Sequence, residues 1–412
     1  MFSFIRTMSP DKRKMVYTLF FAFICNGLMA LMIGSVIPDL KTSYGLTDSQ
    51  TGIFLSAHSA GNLIAGLLSG VVPLYLGRRR SVVLQGVLAF IAFIMIMFWG
   101  NPAWLFVAFL MTGIGRGAVT NFNNQRINLI SDGNPSAITF LHAGFAVGAI
   151  AAPMLFLLGQ QTVGWRWGVA VMVVFGFVSM GSLGRMKVED NYPSKGDKAH
   201  NTLAFLKNPS FLVLALMLFC YLCSEYCITG WLVTYLQNKE ELLLAFGKTG
   251  SELTLALNNF SQFMATLFWG VILVGRLFCA WLSGKADSKK LMVIFSAGIV
   301  AFFAMMLMSA TIPMVTVAVA GLGFCMSGMS PMIIASASYF TNRYTMAIGT
   351  LSAIASFGAI FMPAAVGFTA ERLGFGGGMS VIYSTILLLL VGSIIHLVMK
   401  PCFPVQPKGE KA

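Results

Sequence analysis

The chain has 412 residues, of which 57 % are hydrophobic and only 10 % charged, with a formal net charge of +13. Soluble domains carry roughly 25 % charged residues, and a water-soluble fold cannot hide so much apolar surface. The composition therefore excludes a soluble globular domain, and the placing of the basic residues in short loops between apolar runs argues against a nucleic-acid-binding one.

Lipid tolerates such a chain only if every backbone group is paired within helices or a closed barrel. The apolar runs are continuous and long enough for helices, not the short alternating segments of a barrel strand. Lys12, Arg13 and Lys14 precede the first run, Met15 to about Ile37, which is too long for a signal-peptide core and lacks a small-x-small cleavage site. It reads as a retained first span. Eleven more follow, giving predicted spans near 15–39, 51–75, 81–99, 103–130, 136–159, 165–184, 209–237, 255–284, 290–309, 313–340, 344–369 and 378–399. The one long polar stretch, Arg185 to Lys207, is rich in Lys, Asp, Glu, Pro and Gly, as a linker outside the membrane would be. The expected organisation is an all-α membrane protein with an N-terminal six-helix bundle (1–184), a cytoplasmic linker (185–208), a C-terminal six-helix bundle (209–400) and a cytoplasmic tail (401–412). Cys220, Cys223 and Cys227 follow helical spacing but have no histidine nearby in sequence, so packing is expected of them and no metal site.

Lys and Arg orient the spans. With the N-terminus in the cytoplasm, 20 of the 27 basic residues fall in cytoplasmic segments or at their rims. Only Lys41, Arg166, Lys239, Lys248 and Arg372 fall outside, while Arg116 and Arg276 lie within spans. Both termini are expected to be cytoplasmic, in a bacterial inner membrane.

The two halves repeat. Gly61–Gly70 reads GNLIAGLLSG and Gly275–Gly284 reads GRLFCAWLSG; GAIAAP at 148–153 is matched by GAIFMP at 358–363, and Gly113-Ile114-Gly115 by Gly321-Leu322-Gly323. The offsets, 214, 210 and 208, are nearly constant. Internal repeats of this kind are a sign of transporter architecture.

At these residues the chain resembles the major facilitator superfamily. After span 2, Gly70 and Gly77-Arg78-Arg79 are similar to that family's loop signature, with Leu74 where the acid should stand and Tyr75 where the first base should stand. Within the superfamily, Gly275-Arg276-Leu277 with Trp281-Leu282, Gly323 with Pro331, Leu141-His142 with Gly148 and Pro153, and Glu225 before Gly230-Trp231 resemble the fucose/galactose/glucose proton symporter group. The resemblance implies a twelve-helix fold working by alternating access, with Gly70, Gly77, Arg78, Arg79 and Arg276 as gating residues. One departure is span 4, where that group often has an acid and this chain has Thr120 and Asn121.

A charge at the bilayer centre costs about 2.5–3.5 kcal/mol on insertion scales, so intramembrane ionisable residues are functional candidates. Glu225 is the acid nearest the middle of any span and the expected proton carrier, with His142 on span 5 as a second proton-coupling candidate. Arg116, in the middle of span 4, reads either as a ligand for an anion or hydroxyl or as the partner of Glu225. Asn121, Asn124 and Gln125 follow on the same span, and their amides suit the hydroxyls of a neutral sugar. Trp231 is expected to stack on a sugar's apolar face or to anchor the outer interface, and Asn26 and His58 are weaker candidates. No phosphate-binding glycine loop with Lys is present in the sequence, so no cofactor is expected and an ion gradient is the expected energy source. The whole reads as a monomeric secondary transporter, not an enzyme, importing a small neutral polar solute, a sugar, by proton symport. The alternative is a proton-driven exporter of amphipathic compounds or of another metabolite.

Overall fold

The computed structural model describes residues 8–131, 135–186, 203–282, 286–344 and 346–399, and the chain there is helical almost throughout. The first six long helices are α1 (Pro10–Tyr44), α2 (Asp48–Leu76), α3 (Arg78–Phe98), α4 (Pro102–Ile130), α5 (Pro135–Val163) and α6 (Trp165–Gly184). After a 3-10 turn at Leu203–Lys207 come α7 (Pro209–Gln237), a short helix Glu240–Ala245, α8 (Gly250–Leu282), α9 (Ser288–Met308) and α10 (Ile312–Phe340, with breaks at Gly328 and Ala337). The last helical stretch, Ala347–Val398, is 52 residues long and turns at Gly374, where φ is 73°. At 1.5 Å per residue it would measure roughly 78 Å if straight, more than twice a bilayer core. It is therefore two crossings, α11 (347–373) and α12 (375–398). Among the described residues there are eleven helices long and apolar enough to cross a membrane, counting that stretch once. Residues 187–202 of the expected linker 185–208, and the expected tail 401–412, fall outside the described residues.

Local chemistry sets the helix ends. Ser9 caps α1 ahead of Pro10, accepting from the Lys12 amide at 3.4 Å, and Gly45 closes it in the left-handed region at φ 63°. Thr47 and Gln50 form a reciprocal capping box on α2. Asn101-Pro102 and Asn208-Pro209 start α4 and α7 alike, each Asn accepting from the amide two residues on at 2.9 Å. At α1 these caps carry the helix about five residues beyond the predicted apolar run at each end, Pro10–Tyr44 against 15–39.

Lipid supplies no hydrophobic drive between helices, so close approach of backbones has to hold them. A Cβ on Gly61 or Gly113 would strike the partner backbone across the α2–α4 crossing, and one on Gly148 the backbone of α1. Gly275 and Gly323 mark the α8–α10 crossing, and Gly358 the crossing of α11 on α7, where a Cβ would stand 2.6 Å from Phe219 O. Two of the three repeated glycine matches thus occupy corresponding crossings, Gly61 (α2–α4) with Gly275 (α8–α10) and Gly148 (α1–α5) with Gly358 (α7–α11), whereas Gly113 meets α2 and its counterpart Gly321 meets Phe302 of α9. Gly113→Val is expected to cost more than the roughly 1–3 kcal/mol of ordinary overpacking, because its obstacle is the carbonyl of His58 rather than a side chain. Loss of the monodisperse peak in fluorescence-detected size exclusion checks this.

α1 is apolar on all sides and is the most enclosed helix, with 83 % of its core window buried against 17 % for α2. It runs beside α5, α7 and α4 and so forms one wall of the space between the two halves. The hydrogen bonds described between residues before and after the linker lie in the middle of the molecule or at the end away from the N-terminus. They are Gln262 Nε2 to Ser35 O (3.1 Å), the Ser49 amide to Glu371 Oε2 (3.0 Å), the Ala364 amide to Ser56 Oγ (3.1 Å), Thr266 Oγ1 to Ile150 O (3.2 Å), Gln161 Nε2 to Asn259 Oδ1 (2.5 Å) and Asn258 to Gln160.

Candidate functional site

Seven helices enclose a cavity of about 210 Å³ at the centre of the molecule, between the two halves. α2 contributes His58 and Ser59, α4 Arg116 and Thr120, α5 His142 and Phe145, α7 Glu225, Tyr226 and Thr229, and α8 Trp269 and Arg276; α1 and α11 close it with Phe23, Ala30, Ile33, Gly34 and Pro363. The volume is below the roughly 300–1,000 Å³ of drug-sized sites, so the cavity suits a small solute.

Its charges fall into two groups. In the first, Thr112 spends its hydroxyl proton on Phe109 O (2.6 Å), so the His58 Nδ1 at 2.8 Å must be the donor to Thr112 Oγ1. His58 is therefore the neutral Nδ1–H tautomer by its hydrogen bonds, and its Nε2 accepts from Arg116 Nη1 at 3.3 Å. Arg116 Nε is buried with no partner among the described residues, and its guanidinium lies 5.8 Å from the centre of the Phe145 ring. Phe145 in turn meets Trp269 edge-on at 5.7 Å, an apolar corner next to the cation. In the second group the Tyr221 hydroxyl donates to Glu225 Oε1 at 3.1 Å, and the charge of Arg276 acts on both. The ion pairs within 4 Å among the described residues are Lys41–Asp48 and Lys239–Glu241, so neither cavity arginine is directly paired with Glu225.

Of the residues singled out in the sequence, His58, Arg116, His142, Glu225 and Arg276 come together in this wall. Arg276, expected at a gate or rim beside the loop signature, sits inside instead, because α8 turns it inward two helical turns from Trp269. Asn26 stands behind the wall, buried and donating to Thr120 Oγ1 at 2.7 Å. Trp231 is 0 % exposed; it donates Nε1 to Pro363 O at 3.2 Å and packs against Phe375, fastening α7 to α11. It does not line the central cavity. Asn121 and Gln125 line a separate pocket between α2, α3 and α4, and Asn124 lines neither space. At about 100° per residue, positions 121 and 125 lie roughly 140° and 180° around α4 from Arg116. An arginine and those amides cannot share one cavity, and the arginine has it. Gly70 is exposed on α2, Gly77 joins α2 to α3 at φ 75°, and Arg78 and Arg79 stand on a basic basin of about 1510 Å³ with Lys12, Lys14 and Arg185. Sequence reasoning missed Phe145, Tyr221 and Trp269. Phe145 lies three residues from His142 and Trp269 seven before Arg276, spacings that put each on the face of a residue already picked out.

The model of the Major Facilitator Superfamily matches residues 19–257, more than half of the chain. The chain belongs to that superfamily. Its relatives are transporters, not enzymes, and it is a multi-pass membrane protein of the same kind. It is 25 % identical over 402 residues to the gallate transporter of Pseudomonas putida, covering 87 % of this chain and 85 % of that one. It is 28 % identical over 185 residues to the 3-(3-hydroxy-phenyl)propionate transporter of Escherichia coli (strain K12), covering 41 % and 44 %. Several curated relatives, the second of these among them, are spanned for less than two thirds of their length. Among solved structures, a D-xylose-proton symporter superposes with a TM-score of 0.74 over 94 % of this chain and 98 % of its own, at 14 % identity, a likeness of fold alone.

Proposed function

We propose that this transporter imports a small organic anion with a flat apolar body, an aromatic carboxylate, together with a proton. The observation that carries the reading is Arg116: a cation in the central cavity, with no acid in ion-pair range among the described residues, beside the Phe145–Trp269 corner. The cavity's fixed charges, two arginines against one glutamate, leave one cation to be met by solute. The printed names of the gallate and 3-(3-hydroxy-phenyl)propionate transporters support this class. The neutral sugar expected from the sequence is the weaker fit, since the amides meant to bind its hydroxyls line a different pocket.

Coupling follows from the same charges. A proton on Glu225 removes the one negative charge near Arg276 and raises the attraction for an anion, so proton and anion favour each other's binding. His142 is the second group able to carry a proton. The halves 1–184 and 209–400 rock about the cavity, as a monomer, in a bacterial inner membrane with both termini and the 185–208 linker in the cytoplasm. In that orientation the hydrogen bonds between the halves close the outer side, and Gly70, Gly77, Arg78 and Arg79 stand at the inner gate. Thermal stabilisation of the purified protein against a panel tests the solute class, since ligands stabilise what they bind by mass action. Benzoate-type carboxylates are expected to raise Tm and hexoses to leave it unchanged; the reverse pattern would restore the sugar.

A further inference from the structure

The pocket between α2, α3 and α4 binds no solute in the transport reading, though Gly70 and Arg78 of its lining belong to the proposed inner gate, and it gathers two of the amides that the sequence singles out on α4, Asn121 and Gln125. Its volume is about 280 Å³, larger than the central cavity's 210 Å³. Ser69, Arg78, Ser81, Gln85, Asn121 and Gln125 supply its polar lining. Gln85 is only 5 % exposed. Its Nε2 donates to Ser81 Oγ at 2.9 Å and to Ser81 O at 3.3 Å, while its Oε1 has no partner among the described residues. Buried carbonyl oxygens are rarely left so, and one on a residue that lines a polar space calls for a donor. Asn121 donates to Ser69 Oγ at 3.2 Å and holds the far wall in place. Gly66 and Gly70 keep the space open, since a Cβ on either would meet nothing within 4 Å. Beside them Leu67, Val71 and Leu74, spaced as one stripe of α2, are 71 %, 53 % and 61 % exposed.

We propose that this pocket binds a phosphate ester that carries a free hydroxyl. The phosphate meets the Arg78 guanidinium, which suits it in charge and fork geometry, and the hydroxyl donates to Gln85 Oε1. Two sources present this chemistry. One is the glycerol-phosphate head of phosphatidylglycerol from the adjacent leaflet, its acyl chains along the Leu67–Val71–Leu74 stripe. The other is a free glycerol phosphate. Neither depends on which solute the central cavity carries, so the site stands or falls apart from the proposed solute class.

The test is thermal unfolding of the full-length protein in detergent with added phosphatidylglycerol, phosphatidylcholine or sn-glycerol 3-phosphate. Phosphatidylglycerol is expected to raise Tm by about 2–4 °C and phosphatidylcholine not to. Gly66→Leu fills the pocket, has open space for its side chain and keeps every basic residue, so it separates the pocket from general attraction to an anionic surface. Gln85→Leu keeps the bulk and removes the acceptor. Loss of the shift in both variants supports the site, and the same pattern with sn-glycerol 3-phosphate alone assigns it to the free ester. A shift that survives in Gly66→Leu, or no shift with either phosphate ester, would overturn the proposal.

Discussion

Arg116→Gln is expected to weaken binding of an aromatic carboxylate by about 30-fold or more. Removing one partner of a desolvated, hydrogen-bonded charge pair costs roughly 2–5 kcal/mol, and each 1.4 kcal/mol is a factor of ten. The folded protein should tolerate the change, because it removes a buried cation whose Nε has no partner among the described residues. Arg116→Lys keeps the charge but loses the planar fork that matches a carboxylate and lies against Phe145, so an intermediate loss is expected. Arg276→Gln should cost less, since Glu225 already meets part of that charge. Equilibrium binding of labelled benzoate to purified variants measures all three. Unchanged affinity in Arg116→Gln would remove the anion anchor and with it the proposed solute class.

Glu225→Gln is expected to abolish concentrative uptake while leaving exchange of labelled for unlabelled solute. The amide keeps the size of the carboxyl and can still meet Tyr221, whose hydroxyl lies 3.1 Å from Glu225 Oε1. It mimics the protonated side chain permanently, so the loaded carrier can still turn between its two faces. It cannot release a proton inside, and the half-cycle that returns the empty carrier loses its driving force. The readout is proteoliposome uptake under an imposed pH difference, acid outside, beside counterflow with no gradient. A variant that still accumulates solute under the gradient would take Glu225 out of the role and leave His142, the other proton-bearing group proposed for coupling, as the candidate.

Much of the architecture was legible in the chain itself. Lipid demands long apolar helices, so the apolar runs could be counted in the sequence. The repeated glycines were legible too, because close backbone approach admits no other residue at positions such as Gly113 and Gly148. Rarity in lipid likewise picked out Glu225, Arg116 and Arg276, since each charge in a span must answer for its cost.

What the tertiary structure alone decided is which way each helix faces. Nearly every span is apolar around its whole circumference, so no polar stripe reports the direction of the cavity, and a rotation of about 100° per residue exchanges one neighbour for another. Trp231 follows Glu225 by six residues, yet it is sealed against Pro363 and Phe375 while Glu225 faces the cavity. Asn121 follows Arg116 by five, yet it opens on another pocket. Composition and periodicity select which residues are expensive to bury; only the packing of seven helices around one space selects which of them meet.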